Sequence, residues 1–191
     1  MHLGWLFGCL WLAWAGYWLV SARRVKPARR LESAASRAAH FVPLGVAGLL
    51  LTIPPPPVGG LGWLSRHLAA QSVALALAGA VLTAVGLLLS VWARRTLGTN
   101  WSGAVTVKQD HELVVAGPYR HVRHPIYSGL LLAFCGSALA VAEPRGVLAL
   151  LIAWLALWRK WRLEERFMRE TFGAAYTEYA ARTPAVIPRV L

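Results

Sequence analysis

Charge is scarce in this 191-residue chain, and negative charge scarcer still: 15% of positions are charged, with 8 Asp and Glu against 20 Lys and Arg. So little charge excludes an ordinary water-soluble domain, because 57% of the residues are hydrophobic, ten of them tryptophan, and polar groups are too few to cover that surface in water. The solvent for the surface is expected to be lipid. The basic residues are not spread over a polar face interleaved with aromatics. That absence excludes a nucleic-acid partner. Cysteine is nearly missing. Cys9 and Cys135 both fall inside apolar runs, which excludes a disulfide framework or a zinc site and leaves both as expected small buried hydrophobes. No G-x-G turn follows a strand: Gly59-Gly60-Leu61-Gly62 lies in a Pro-rich connection, so a soluble Rossmann-type methyltransferase or dehydrogenase is not expected. There is no internal repeat and no low-complexity tract. The first apolar run, 3–20, has no basic residue before it and no A-x-A site after it, so it is expected to be a retained spanning helix rather than a cleaved leader.

Five apolar stretches stand out, at 3–20, 40–53, 71–92, 126–142 and 146–158. At ~1.5 Å per residue, about twenty residues cross a hydrocarbon core. The third run reaches that length alone, and the fifth can continue as a helix through 159–172 into a cytoplasmic interface. The second is short, stopped by Pro54-Pro55-Pro56-Pro57. Eighteen of the twenty basic residues fall in the segments 21–39, 93–125 and 159–191, while the alternate connections hold only Arg66 and Arg145. The positive-inside rule then places the N-terminus outside and the C-terminus in the cytoplasm, and it requires the short second run to cross as well. The expectation is an all-α integral membrane protein with about five transmembrane helices and a cytoplasmic C-terminal helical region. In a bacterial cell its place is the inner membrane. Residues 1–92 hold the first three spans. Residues 93–191 hold a helical hairpin, 126–158, turned at Glu143-Pro144-Arg145, and the polar residues that could carry chemistry.

Those polar residues gather in two places, Gly117-Pro118-Tyr119-Arg120-His121-Val122-Arg123-His124-Pro125-Ile126-Tyr127 and Arg159-Lys160-Trp161-Arg162-Leu163-Glu164-Glu165. The hairpin brings both to the same membrane face. Each residue has a plain explanation. Trp158 and Trp161 serve well as interfacial anchors, Arg120 and Arg123 as inside-positive charges, and Glu164 and Glu165 as helix-surface charges paired with Arg. His121 and His124 have no Cys or carboxylate at ligand spacing, so no metal is expected. Together, however, a Pro-bounded Tyr/Arg/His segment facing a Glu pair exceeds what anchoring requires.

The pattern G-P-Y-R-x-V-R-H-P-x-Y-x-G over Gly117 to Gly129, then Glu164-Glu165, Phe172-Gly173, Tyr176, Tyr179, Arg182 and Pro184, resembles the isoprenylcysteine carboxyl methyltransferase family, whose relatives include the phospholipid N-methyltransferases. The resemblance takes in Leu97-Gly98-Thr99-Asn100-Trp101-Ser102 and His111-Glu112-Leu113-Val114 and covers roughly residues 90–190; the first ninety residues match only as spanning helices. It implies a cytosol-facing pocket for S-adenosyl-L-methionine, open sideways to lipid for an apolar acceptor. On that implication, His124 and Arg123 hold the cofactor carboxylate. Tyr119 or Tyr127 offers an aromatic face to the adenine or the sulfonium. Glu164 accepts from the ribose or the ammonium, and Pro118 and Pro125 keep the loop rigid.

The acceptor sets what else is needed. A carboxylate is already nucleophilic and wants a cation to orient it, for which Arg159 is the expected residue. An amine would need Glu164 or Glu165 as a base. The expected partner is a lipophilic small-molecule or prenylated acceptor among membrane lipids, most readily an isoprenylcysteine-type carboxylate. A phospholipid or other lipid is the alternative. Two further classes stay open: a reductase-like relative using NADPH, and a non-enzymatic membrane partner protein.

Overall fold

The computed structural model describes residues 4–23, 25–56, 58–108 and 112–188; Pro57 and His111, named above, lie outside the described residues. The chain is an all-α bundle with one short ribbon. In order it forms α1 (Gly4–Ser21), β1 (Ala28–Leu31), α2 (Ala34–Thr52), α3 (Val73–Leu97), β2 (Thr106–Lys108), α4 (Pro125–Val141), α5 (Pro144–Phe172) and α6 (Ala174–Arg182). Each boundary has a local cause. Ser33 and Ser72 cap α2 and α3 by accepting from the backbone N–H of Ser36 and Leu75. Pro125 and Pro144 open α4 and α5, where a missing N–H costs nothing. Gly98 and Gly173, at φ of 55° and 54°, close α3 and α5 in backbone conformations that a side chain would strain.

The expected helices are all present, with one boundary corrected. Hydropathy places the start of the second run at residue 40, yet α2 starts at Ala34 and reaches 19 residues, because Ser33 supplies a cap that hydropathy alone does not register. Among the described residues two helices, Ala34–Thr52 and the stretch Val73–Asn100 that continues α3, are long and apolar enough to cross a membrane. α1 and α4 are 18 and 17 residues long, and α5 runs unbroken for 29, carrying the polar segment after residue 158 on the same rod. The two-stranded ribbon, β1 antiparallel to β2, was not expected.

α3 and α4 form the tightest contact. A Cβ added at Gly79 would sit 2.6 Å from the Gly136 carbonyl, and one at Gly136 would meet Thr83; Gly86 and Gly129 exclude each other's Cβ in the same way. Small residues two turns apart on both helices let the backbones touch, which is how helices associate where no hydrophobic effect drives them. α2 packs on α5, and α1 docks against α3. The docking of α1 uses indole N–H groups: Trp11 donates to Ser137 Oγ (3.1 Å) and Trp14 to Ser90 Oγ (2.8 Å). Outward faces stay apolar, with Leu12, Leu19, Val42, Leu49, Val81, Leu88, Leu151 and Leu155 all exposed. Both cysteines are also exposed, which corrects the expectation that they are buried. An apolar run in such a bundle has an outward face as well as an inward one, and composition cannot tell them apart.

Candidate functional site

The N-terminal end of α4 and the polar half of α5 meet as the hairpin requires. Backbone pairing fixes the loop that precedes α4: the N–H groups of Arg123 and His124 donate to the carbonyls of Pro184 and Ala185 (2.8 and 2.9 Å), and the Tyr179 hydroxyl donates to the Tyr119 carbonyl (2.7 Å). The segment after α6 therefore clamps the loop, and Pro118, Tyr119 and Pro125 are buried in it.

His124 bridges the two glutamates. Its Nε2 lies 3.3 Å from Glu165 Oε1 and its Nδ1 3.6 Å from Glu164 Oε2, while its ring stacks on Tyr127 and Trp161. The two carboxylates nevertheless differ in environment. Glu165 turns into the protein, where Arg123 Nε and Nη2 donate to its Oε1 (2.8 and 2.6 Å) and Arg169 Nη2 to its Oε2 (3.3 Å). The remaining Arg123 nitrogen, Nη1, donates to the carbonyls of Ala180 and Thr183. Glu164 receives the Tyr127 hydroxyl and faces a cavity of about 1160 Å³ that runs along the inside of the bundle.

Beyond Arg145 in its first turn, α5 gives the cavity four residues: Leu157, Lys160, Glu164 and Met168. Their spacing of three or four is one helical stripe. Lys160 is 6% exposed; its Nζ donates to the Gly103 carbonyl (2.7 Å) and lies over the rings of Phe41 (5.2 Å) and Tyr127 (5.5 Å). Arg159 is one residue, ~100°, away from it. It turns to α2 instead, donating to the Ser36 carbonyl and hydroxyl (3.1 Å each), with His40 Nδ1 3.3 Å from its Nη1. The structure thus brings Pro118, Tyr119, Arg123, His124, Pro125, Tyr127, Glu164 and Glu165 together and sets Arg159 on another face. Trp161, expected as an interfacial anchor, is 5% exposed in the core beside His124; Trp158, at 47%, does face outward.

Charge in the cluster is set by mutual contact. Burial pushes His124 down, but the hydrogen bonds and charges of Glu164 and Glu165 outweigh it and hold the imidazole above its usual 6.5. Burial works against ionised Glu165, yet His124 and Arg123 bring it to about 2, and Glu164 is likewise lowered against its burial by His124 and Lys160. Lys160 is lowered by burial, with Glu164 and Glu32 opposing.

These shifts have a signed consequence. A raised His124 pKa contributes stability that is complete below 6.5 and lost as pH rises through the folded value; a Glu165 pKa depressed from 4.5 to about 2 contributes stability that is complete above 4.5 and lost as pH falls toward 2. Melting temperature in detergent should therefore decline on the alkaline side of 6.5, and the decline should flatten in His124→Gln. Equal alkaline slopes in both proteins would rule the coupling out. Glu165→Gln leaves the Arg123 guanidinium buried without its counter-charge, at a cost of about 3 kcal/mol or more, and denaturant titration should register that loss of stability whatever the ligand.

Composition and spacing did not single out three further polar groups in the cavity wall. Asn100 Oδ1, Thr106 Oγ1 and the Tyr176 hydroxyl are buried with no hydrogen-bond partner among the described residues. Asn100 and Tyr176 sit within the resembling segments but carried no assigned role. Thr106 comes to the cavity through the ribbon, whose end is tied to Glu32: the Val105 N–H donates to Glu32 Oε1 (2.8 Å) and the Glu32 N–H to the Val105 carbonyl (3.0 Å). Unpartnered buried polar atoms are costly and point to a polar ligand.

A helical bundle with an apolar exterior, holding a buried charged pocket that opens into a long cavity, has the architecture of a membrane-type protein. Residues 74–175, just over half of the chain, match the phospholipid methyltransferase family, and the chain belongs to that family. It is 30% identical over 115 residues to protein-S-isoprenylcysteine O-methyltransferase B of Arabidopsis thaliana, covering 59% of this chain and 58% of that protein. It is 34% identical over 116 residues to the protein-S-isoprenylcysteine O-methyltransferase of Saccharomyces cerevisiae (58% and 47%), and 37% identical over 98 residues to the cobalt-zinc-cadmium resistance protein CzcN of Cupriavidus metallidurans (50% and 44%). The chain thus spans about half the length of these curated relatives.

Proposed function

We propose that the chain is an S-adenosyl-L-methionine-dependent membrane methyltransferase that esterifies a carboxylate on a lipophilic acceptor. The observation that carries this reading is the placement of Lys160 and Glu164 one turn apart on the cavity face of α5, with Glu164 already engaged by Tyr127 and His124. A carboxylate acceptor needs a cation for orientation and no proton removal. An amine acceptor needs a base, and Glu164, held below the usual carboxylate range, is a weak one. The arrangement favours the carboxylate.

The residues present fit the methyl donor. Asn100, Thr106 and Tyr176 offer unpartnered polar atoms, Glu164 a carboxylate for the ammonium, and Tyr119 and Tyr127 aromatic faces. When bound, the donor supplies a methyl group on a sulfonium; a carbon–sulfur bond breaks and an oxygen–carbon bond forms, with no proton moved. The chain's part is to align the two groups and keep water out. Lys160 takes the orienting role that residue type alone assigned to Arg159. His124 and Arg123 support this site by fixing Glu164 and Glu165. In this reading residues 93–191 carry the chemistry, and residues 1–92 complete the bundle.

Thermal stabilisation by S-adenosylhomocysteine, measured beside NADPH, tests the reading. Stabilisation by the former alone is expected; stabilisation by NADPH alone would indicate a reductase, and by neither a non-enzymatic partner protein. The proposed topology has five crossings, with the N-terminus outside and the site cytoplasmic. The 19-residue length of α2 supports it. A reporter inserted near Gly60 should read external and one carried beyond α6 cytoplasmic; a cytoplasmic reading at Gly60 would remove the second crossing.

A further inference from the structure

The cavity extends well past the charged pocket, and its upper wall comes from α1 and α2, which precede the family-matched residues 74–175. On α1 the wall includes Trp11 and Trp14, held in place by their bonds to Ser137 and Ser90. On α2 it includes Gly45 and Gly48. These two glycines differ in kind from those of α3 and α4. A Cβ added at Gly79, Gly86, Gly129 or Gly136 would collide with the facing backbone, whereas one added at Gly45 or Gly48 would meet nothing within 4 Å. Glycine inside a helix costs up to about 1 kcal/mol relative to alanine, and here no close helix contact compensates. What the two positions supply is open width.

The cavity reaches the hairpin tip. Glu143 and Arg145, both buried, pair with each other, and Arg145 Nη1 donates to the Leu50 carbonyl (2.7 Å), tying the hairpin tip to α2. Both residues line the cavity. Ile126 and Val141, which line it at the two ends of α4, are fifteen residues apart, about 22 Å at ~1.5 Å per residue. Half of a ~30 Å hydrocarbon core is about 15 Å. A space with a charged pocket at one end, largely apolar walls along its length and an ion pair in the wall at the other fits one extended apolar tail whose carboxylate head sits at Lys160.

We propose that α1 and α2 form a gauge for the acceptor's tail, in which Gly45 and Gly48 set the chain length that is admitted. The inference rests on the function proposed above. Its test uses the full chain in lipid nanodiscs, a series of prenyl thioether carboxylates of increasing tail length, and the variants Gly48→Phe and Gly45→Leu. S-adenosylhomocysteine affinity should stay within about twofold, which also reports that each variant folds. Turnover of the shortest acceptor should persist, while kcat/KM for the longest should fall about tenfold, the effect of some 1.4 kcal/mol. An equal loss for every length, or no loss for any, overturns the gauge. If the wild-type chain methylates none of the series, the functional reading fails on its own, and the gauge is then decided by crosslinking. A carboxylate lipid with a diazirine at its tail should label segments 11–18 and 44–52 in the wild-type chain and lose that labelling in Gly48→Phe. Label confined to the outward side chains Leu12 and Leu49, or unchanged in the variant, would overturn it.

Discussion

Glu164→Gln should reduce methyl transfer by about ten- to a hundredfold and weaken S-adenosylhomocysteine binding to a similar degree, with a smaller loss of melting temperature than Glu165→Gln shows. The amide keeps the shape and can still accept from Tyr127, so the local structure has no reason to collapse. What disappears is a negative charge opposite His124 and toward the cavity. Hydrogen bonds to charged groups contribute about 1.5–3 kcal/mol, and each 1.4 kcal/mol is a factor of ten. Glu165 is the internal control. It is the more deeply buried of the two, its oxygens are taken by Arg123 and Arg169, and it does not line the cavity. Its amide variant should show the opposite signature, a loss of stability larger than the loss of affinity. If Glu164→Gln binds and turns over as the wild type does, the assignment of Glu164 fails and the family membership alone remains.

Lys160→Met should lower kcat for a carboxylate acceptor by about ten- to a hundredfold while leaving S-adenosylhomocysteine affinity nearly unchanged. Methionine fills much the same volume, so the packing against Phe41 and Tyr127 survives, but the ammonium that orients an anion next to Glu164 is gone. Removing one charge-assisted hydrogen bond from a buried position accounts for that magnitude. The neighbouring Arg159→Lys should stay within a few-fold of wild-type turnover. It shortens a fork held by Ser36 and His40 and costs some stability between α2 and α5, because a lysine cannot offer two planar donors. The reverse pattern, with Arg159→Lys inactive and Lys160→Met active, would move the orienting role back to Arg159. An unchanged rate with an amine acceptor in Lys160→Met would argue for an amine substrate.

The two adjacent cations show where reading the chain alone runs out. Arg159, Lys160, Glu164 and Glu165 are visible as a polar cluster after an apolar run, and so is their meeting with His124 and Tyr127 across a hairpin turned at Pro144. Which of them faces inward is a matter of rotation. One residue of helix is ~100°, and the phase of α5 is set by how it packs on α2 and α4 rather than by any local preference. The same reason sends Trp161 into the core while Trp158 stays outside, and turns Cys9 and Cys135 outward although both lie in apolar runs.

The helices were legible because their causes are local: runs of apolar residues, and prolines and glycines at their ends. Even the corrected start of α2 has a local sign in Ser33. The loop before α4 and the glutamate pair were legible because their residue types are dense and costly for mere anchoring. The ribbon was not, since β1 and β2 are short and depend on partners more than seventy residues away, and with it went the role of Thr106. The cavity is likewise a product of packing: Gly79, Gly86, Gly129 and Gly136 draw α3 and α4 into contact while Gly45 and Gly48 face empty space. Composition and order along the chain determined a helical bundle with an apolar exterior and its charge concentrated at one end. Only the tertiary structure decided which charge meets the cavity, because that depends on helix rotation and on contacts between residues far apart in the chain.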